Sequence, residues 1–172
     1  MFSTEYPVSS MGNHENPKLV ILTFNPHFGA DETIESLPEA QLDKMGKYDI
    51  RGMNLREFAA VCPWWQDILN LIGHKVKPEE ILTLEYLPYR SSGSAEVPKQ
   101  YRNDELATLH RKKNIVLIRR AMANGAKIFG YYHGDWVNEL PELKRYPHFG
   151  CSSLQWKNGK RKALVDFVNS EF

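Results

Sequence analysis

Cysteine is scarce in this chain: Cys62 and Cys151 are the only two among 172 residues. They form no metal-binding pair, and a reducing compartment makes a disulfide between them unexpected. No apolar run approaches the roughly 20 residues that cross a bilayer, so no membrane partner is expected. Residues 1–17 lack a basic segment followed by an apolar one, which argues against a secretory signal and leaves the cytoplasm as the default location. A Gly-x-Ser-x-Gly elbow is also missing, and no Gly-rich phosphate loop follows a strand. The histidines are too scattered for a recognised metal spacing, so neither a metal nor another cofactor is expected. Neither an internal repeat nor a low-complexity segment is visible.

What remains is an ordinary globular composition, 42% hydrophobic and 12% aromatic. That is enough for one well-buried domain. The net charge is only +1, but it is divided unevenly. Residues 1–98 carry 8 Lys and Arg against 14 Asp and Glu, whereas residues 99–172 carry 14 against 7. A basic half on a nearly neutral protein suits a phosphate-bearing partner, although solvated helix faces give the same count.

Residues 1–17, rich in Ser, Asn, Gly and Pro, read as a loose N-terminal arm, followed by a single domain over residues 18–172. The spacing predicts strands at 18–24, 81–87 and 127–132, each a short apolar run closed by a turn residue. Acidic residues 31–37 read as a loop and Pro38 opens a short helix to residue 45. Pro63 suits a first helical position, and Gly73 stops the helix that follows. Asn103 or Asp104 caps a long helix ending at Asn124 and Gly125. A further helix is expected over 136–140. Near the end, residues 153–156 read as a strand, 157–160 as a hairpin turn, and the remainder as a terminal helix. Strands alternating with helices imply parallel βαβ units in a layered α/β sandwich.

The chemistry concentrates at strand ends. Thr23-Phe24-Asn25-Pro26-His27-Phe28 follows the apolar run Leu19-Val20-Ile21-Leu22. Loops outside the carboxyl ends of strands hold the ligands of open α/β sheets. An amide (Asn25), a rigid bend (Pro26), an imidazole (His27) and a ring (Phe28) suit a planar polar ligand and a water. Glu85 interrupts the second apolar strand, and a buried carboxylate there needs either a partner such as Arg90 or a cleft at the strand end. Arg111-Lys112-Lys113 and Arg119-Arg120 share one helix. Lys157, Lys160, Arg161 and Lys162 crowd a turn that can grip phosphates.

Taken together, these segments resemble the uracil-DNA glycosylase superfamily. Members place a water-activating motif of the Gly-Gln-Asp-Pro-Tyr-His or Gly-Ile-Asn-Pro-Gly type after their first strand. Leu22-Thr23-Phe24-Asn25-Pro26-His27 stands in that place, closer to the Asn-Pro form of the mismatch-specific branch. Pro63-Trp64-Trp65-Gln66-Asp67-Ile68 is similar to that branch's aromatic-rich helix. Thr83-Leu84-Glu85-Tyr86-Leu87 is similar to the strand whose end carries the base-reading Asn, with Glu85 in its stead. His148-Phe149-Gly150-Cys151-Ser152-Ser153-Leu154 occupies the place of the His-Pro-Ser-Pro-Leu-Ser loop, although Pro147 precedes its histidine.

The resemblance implies a three-layer α/β/α sandwich around a mostly parallel sheet of about four strands. It also implies an N-glycosylase acting on a nucleobase flipped out of DNA. Asn25 and His148 would be the catalytic residues, Asn25 positioning water and His148 stabilising the departing base or gripping a phosphate. Pro26, His27, Phe28, Trp65, Glu85 and Ser152 would line the base pocket. Lys144, Arg145, Lys157, Lys160, Arg161 and Lys162 would hold the DNA backbone. Three alternatives stand beside this one. They are a non-catalytic nucleic-acid or nucleotide-binding module of the same fold, a metal-assisted hydrolase using His27, His133, Asp135 and His148, and a protein-interaction domain.

Overall fold

The structure, a computed structural model, describes residues 2–3, 8, 10–24, 55–61, 63–91, 97–131, 133–146 and 158–172. In chain order the first elements are Phe2–Ser3 (β1), Ser10–Gly12 (β2), Leu19–Thr23 (β3), Leu55–Val61 (α1), Pro63–Ile72 (α2) and Ile81–Glu85 (β4). Then come Arg90–Ser91 (β5), Lys99–Arg102 (α3), Glu105–Ala123 (α4), Lys127–Gly130 (β6), His133–Glu139 (α5) and Asn158–Glu171 (α6). Short 3-10 turns occupy Pro78–Glu80 and Pro141–Arg145.

Every residue of β3 is buried, as a strand covered on both faces requires. It sits inside a four-stranded mixed sheet of order β2-β4-β3-β6. β3 runs parallel to β4 and β6, and β2 is antiparallel to β4 at the edge. Side chains alternate across the sheet. Leu19, Ile21, Ile81 and Phe129 pack with Leu55, Phe58, Trp65, Ile68 and Ile72 of α1 and α2, and with Leu164, Phe167 and Val168 of α6. Val20, Leu22, Leu82, Leu84 and Ile128 meet Ile118 and Ala121 of α4 and Trp136 of α5 on the opposite face. The molecule is therefore an α/β protein with helices on both faces of one sheet; we call these the α2 face and the α4 face.

Local signals account for the helix limits. Asp104 caps α4 by accepting from the Ala107 amide at 2.8 Å, and Gly125, with φ of 78°, turns the chain out beyond Asn124. Pro63 starts α2 and Gly73 follows its last residue.

Several elements differ from the sequence expectation. Ser10–Gly12, in the segment read as a loose arm, is the edge strand, with Met11 fully buried. Burying that side chain and pairing β4's outer edge outweigh the turn-rich composition around it. The strand expected over 81–87 ends at Glu85, but its ladder continues through Tyr86 N–H to Thr23 O (3.1 Å) and Leu87 N–H to Phe24 O (2.7 Å). Arg90–Ser91, at the start of a stretch rich in Ser, Gly and Pro, pairs with Phe2–Ser3. The helix expected at 136–140 begins at His133, with Asp135 in its first turn where the helix dipole favours a carboxylate. The hairpin turn at 157–160 is corrected: residues 158–160 already belong to α6. The stripe Leu164, Phe167 and Val168 buries against β6, and this outweighs the turn preference of Asn158-Gly159. The expected loop at 31–37, helix at 38–45 and strand at 153–156 lie outside the described residues.

Candidate functional site

The chain leaves β3, returns over the α2 face and enters β4 on one side of it. From β4 it returns over the α4 face, passes β3 and enters β6 on the other side. Crossovers of one hand that run in opposite directions must lie on opposite faces. The outgoing connections of β3 and β6 leave on opposite faces, so the carboxyl ends of these two strands form the sheet's topological switch point, the usual ligand position in open α/β sheets. The end of β4 lies beside it on the other flank of β3.

Thr23 and Glu85 are the last register pair of β3 and β4. By alternation both side chains belong to the α2 face, below Ile21 and Thr83. Glu85 is only 2% exposed. Its Oε2 has no hydrogen-bond partner among the described residues. Burial pushes its carboxyl up to about 8, and the adjacent Thr23 hydroxyl offsets only part of that. At neutral pH the group is thus mainly a neutral acid. Thr23 Oγ1 donates to the Leu84 carbonyl at 3.1 Å. At the same end of β6, Tyr131 is buried and meets half-buried Trp64 edge-on, with ring centroids 5.8 Å apart.

Two side chains clamp the backbone of this register pair from the opposite face. Trp136 Nε1 donates to the Thr23 carbonyl at 2.9 Å, and Asn114 Nδ2 donates to the Glu85 carbonyl at 3.0 Å. Beside them Phe24 and Tyr86 stack at 5.8 Å, and the Arg111 guanidinium lies 5.0 Å over the Tyr86 ring. Arg111 also donates to the Arg102 carbonyl (2.7 Å) and pairs with Glu139 (3.3 Å), which accepts from Tyr86 Oη (3.2 Å). Burial raises the Asp135 carboxyl, and nearby Arg102 and Arg111 pull it back. In α4, burial pushes the His110 imidazole down to about 4. That ring is neutral near pH 7.

The expected site residues separate into three groups. Asn25, Pro26, His27, Phe28, His148, Ser152 and Lys157 lie outside the described residues. Glu85 occupies the strand-end position expected of it. Trp65, expected to stack on a ligand, is 3% exposed and belongs to the core, where packing accounts for it; its neighbour Trp64 is the half-buried ring. Of the metal-reading residues only Asp135 has a described side chain, and among the described residues no cluster of three metal-ligating side chains occurs.

The basic residues are divided between the faces. Glu171 pairs with Lys127 at the amino end of β6 (2.6 Å), so α6 runs antiparallel to that strand. Its first turn, with Lys160, Arg161 and Lys162, consequently lies about 20 Å away, toward the carboxyl ends. Lys162 pairs with Asp166 at 2.5 Å. Lys144 and Arg145 are exposed, but neighbouring Glu142 pairs with Arg119, about 21 Å along α4 from Glu105. They sit back along the α4 face, apart from the α6 group. Arg111, read as part of a basic stripe, is internal and pinned by Glu139.

Sequence reading missed Thr23, Trp64, Tyr131, Trp136 and Asn114. Asn114 carried a signal: it stands in the buried stripe Ala107, Asn114, Ile118 and Ala121, where an amide must hydrogen-bond. Comparison of the chain with protein-family models and with curated proteins finds no match. Among the described residues no helix is long and apolar enough to cross a membrane.

Proposed function

We propose that this is a divergent uracil-DNA glycosylase-like protein, with the corresponding α/β/α sandwich, that holds a flipped nucleobase at the carboxyl ends of β3 and β4. The observation that carries the reading is the Glu85 carboxyl. It is buried at the carboxyl end of β4, next to the switch point, with an oxygen left over, beside the strand that leads into Asn25-Pro26-His27. An unpartnered buried oxygen is costly unless a ligand supplies its hydrogen bond. A nucleobase edge does so, and half-buried Trp64 supplies aromatic surface on the same face.

Asn25 orients water toward the anomeric carbon. An amide is no general base, so acceleration comes from positioning and from stabilising the departing base, the latter assigned to His148. The base reaches the pocket only by leaving the stack. Lys160, Arg161 and Lys162 hold phosphates, which makes binding salt-dependent. Incubation with single- and double-stranded oligonucleotides carrying damaged or mispaired bases tests the reading. The wild-type protein releases a base, and Asn25→Ala lowers the rate by about a hundredfold or more. Absence of release from every oligonucleotide contradicts it.

A binding-only protein of the same fold is the second reading, and Glu85 itself favours it. Among the described residues no charged group stands beside this carboxyl to assist chemistry, so what is visible is recognition. In that case salt-dependent oligonucleotide binding survives Asn25→Ala unchanged.

A further inference from the structure

The strand ends that lead into the proposed site are held by more than the sheet. In a regular parallel pair the ladder bonds are evenly spaced, with successive residues turned to opposite sides. Beyond Glu85 that order breaks. Tyr86 N–H donates to the Thr23 carbonyl at 3.1 Å, and Leu87 N–H donates to the Phe24 carbonyl at 2.7 Å. Successive residues of both chains thus face the same neighbour, and the ladder bends where β3 leads into Asn25. Two helices of the α4 face reach that bend. Fully buried Trp136 of α5 adds its indole Nε1–H to the same Thr23 carbonyl at 2.9 Å. The carbonyl already has its ladder donor, so the second does more than satisfy it. With both lone pairs engaged, the Thr23–Phe24 peptide plane is confined to one orientation. Buried Asn114 of α4 donates its Nδ2 to the Glu85 carbonyl at 3.0 Å. Among the described residues the register pairs of β4 with β2 end at Leu84, and the amide side chain supplies the donor for the next residue. Arg111 of α4 and Glu139 of α5 pair at 3.3 Å, which ties the two helices that carry these donors.

We infer that Trp136 and Asn114 are positioning residues, which set the direction in which β3 passes the chain on to Asn25. Neither touches the ligand. Both act through backbone carbonyls, from the face of the sheet opposite the Glu85 side chain. For Asn25 being the residue so delivered, this rests on the proposed function; the hold on the strand ends does not.

The test sets Trp136→Phe and Asn114→Leu beside Leu140→Ala, each in the full chain. Phenylalanine keeps a ring in the core but has no N–H, and leucine fills the Asn114 site without a donor. Leu140 is fully buried in the same apolar cluster as Trp136 and has no donor to lose, so its truncation reports lost packing alone. Hydrogen exchange, base release from oligonucleotides and urea midpoints are read together. In the two clamp variants the Tyr86 and Leu87 amides exchange about tenfold faster relative to amides in the middle of β3, as loss of one hydrogen bond implies. Base release at saturating oligonucleotide slows about tenfold, while KM stays within about twofold of wild type. Leu140→Ala lowers the urea midpoint, yet leaves the exchange ratio and the release rate within about twofold. If one clamp variant does not fold, the other carries the comparison. An exchange ratio unmoved in the clamp variants, or raised as far by Leu140→Ala, overturns the inference and leaves both side chains as packing. Absence of release from the wild type refutes the glycosylase, and the exchange ratio alone then decides on the clamp. Release that ignores both clamp substitutions does the reverse: it refutes the positioning role and leaves the glycosylase standing.

Discussion

Glu85 is the residue on which the account turns, and its burial has a consequence for stability that needs no ligand. Folded, its carboxyl holds a proton up to about pH 8. The unfolded chain releases it near the ordinary glutamate value of about 4.3. The folded pKa is raised, so the stabilisation is fully present below the unfolded value and drains away as pH rises toward 8. Each unit of that difference is worth about 1.4 kcal/mol. Urea midpoints for the wild type are expected to fall relative to Glu85→Gln between pH 5 and 8; parallel profiles would contradict the buried, unpaired carboxyl. The residue was legible in the sequence because a glutamate inside Thr83-Leu84-Glu85-Tyr86-Leu87 breaks an apolar run. Trp136 and Asn114, which clamp the same strand ends, were not. Their role depends on α4 and α5 packing across the far side of the sheet, a non-local fact that no window of sequence contains. Trp65 was misread for a related reason: adjacent tryptophans look equivalent, yet helix geometry turns one into the core and leaves its neighbour half-buried.

At the scale of elements, the sequence is clearest where local chemistry decides. α2 and α4 begin and end where Pro63, Gly73, Asp104 and Gly125 place them. β3 and β6 are apolar runs of the expected position. The edge strand β2 was hidden because its pairing partner, β4, lies about 70 residues away, and Ser10-Met11-Gly12 alone reads as loop. Its glycine explains the close approach. Gly12 has φ of 95°, and a Cβ there would lie 2.1 Å from the Ile81 carbonyl oxygen. Gly12→Ala therefore forces β2 away from β4 and is expected to destabilise the protein by about 1–3 kcal/mol. Faster hydrogen exchange at the β2–β4 amides is the expected signature, and an unchanged urea midpoint would contradict the registration described. The C-terminal segment shows the opposite failure. Asn158-Gly159 is a strong hairpin signal locally, but the apolar stripe beyond it commits the segment to α6.

For the whole molecule, α/β class followed from alternating strands and helices, but strand order did not. That β4 and β6 flank β3 on opposite sides is a property of the crossovers, and it is what places Thr23 at the switch point with Glu85 beside it. The uneven charge also acquires a geometry. Of the basic residues expected to hold nucleic acid, the described ones divide into the first turn of α6 near the carboxyl ends and Lys144–Arg145 back along the α4 face. Of these two groups, the α6 turn is the one on the side of the strand carboxyl ends.

The most direct test of the central claim is a titration of the labelled protein with a single-stranded oligonucleotide, followed by amide chemical shifts. A ligand at the proposed site shifts Thr23, Glu85, Tyr86 and Tyr131 first and furthest, while the outer residues of α4, such as Lys112 and Val116, stay in place. Shifts confined to α4 or to Lys144 and Arg145, with the ends of β3 and β4 unmoved, would contradict it.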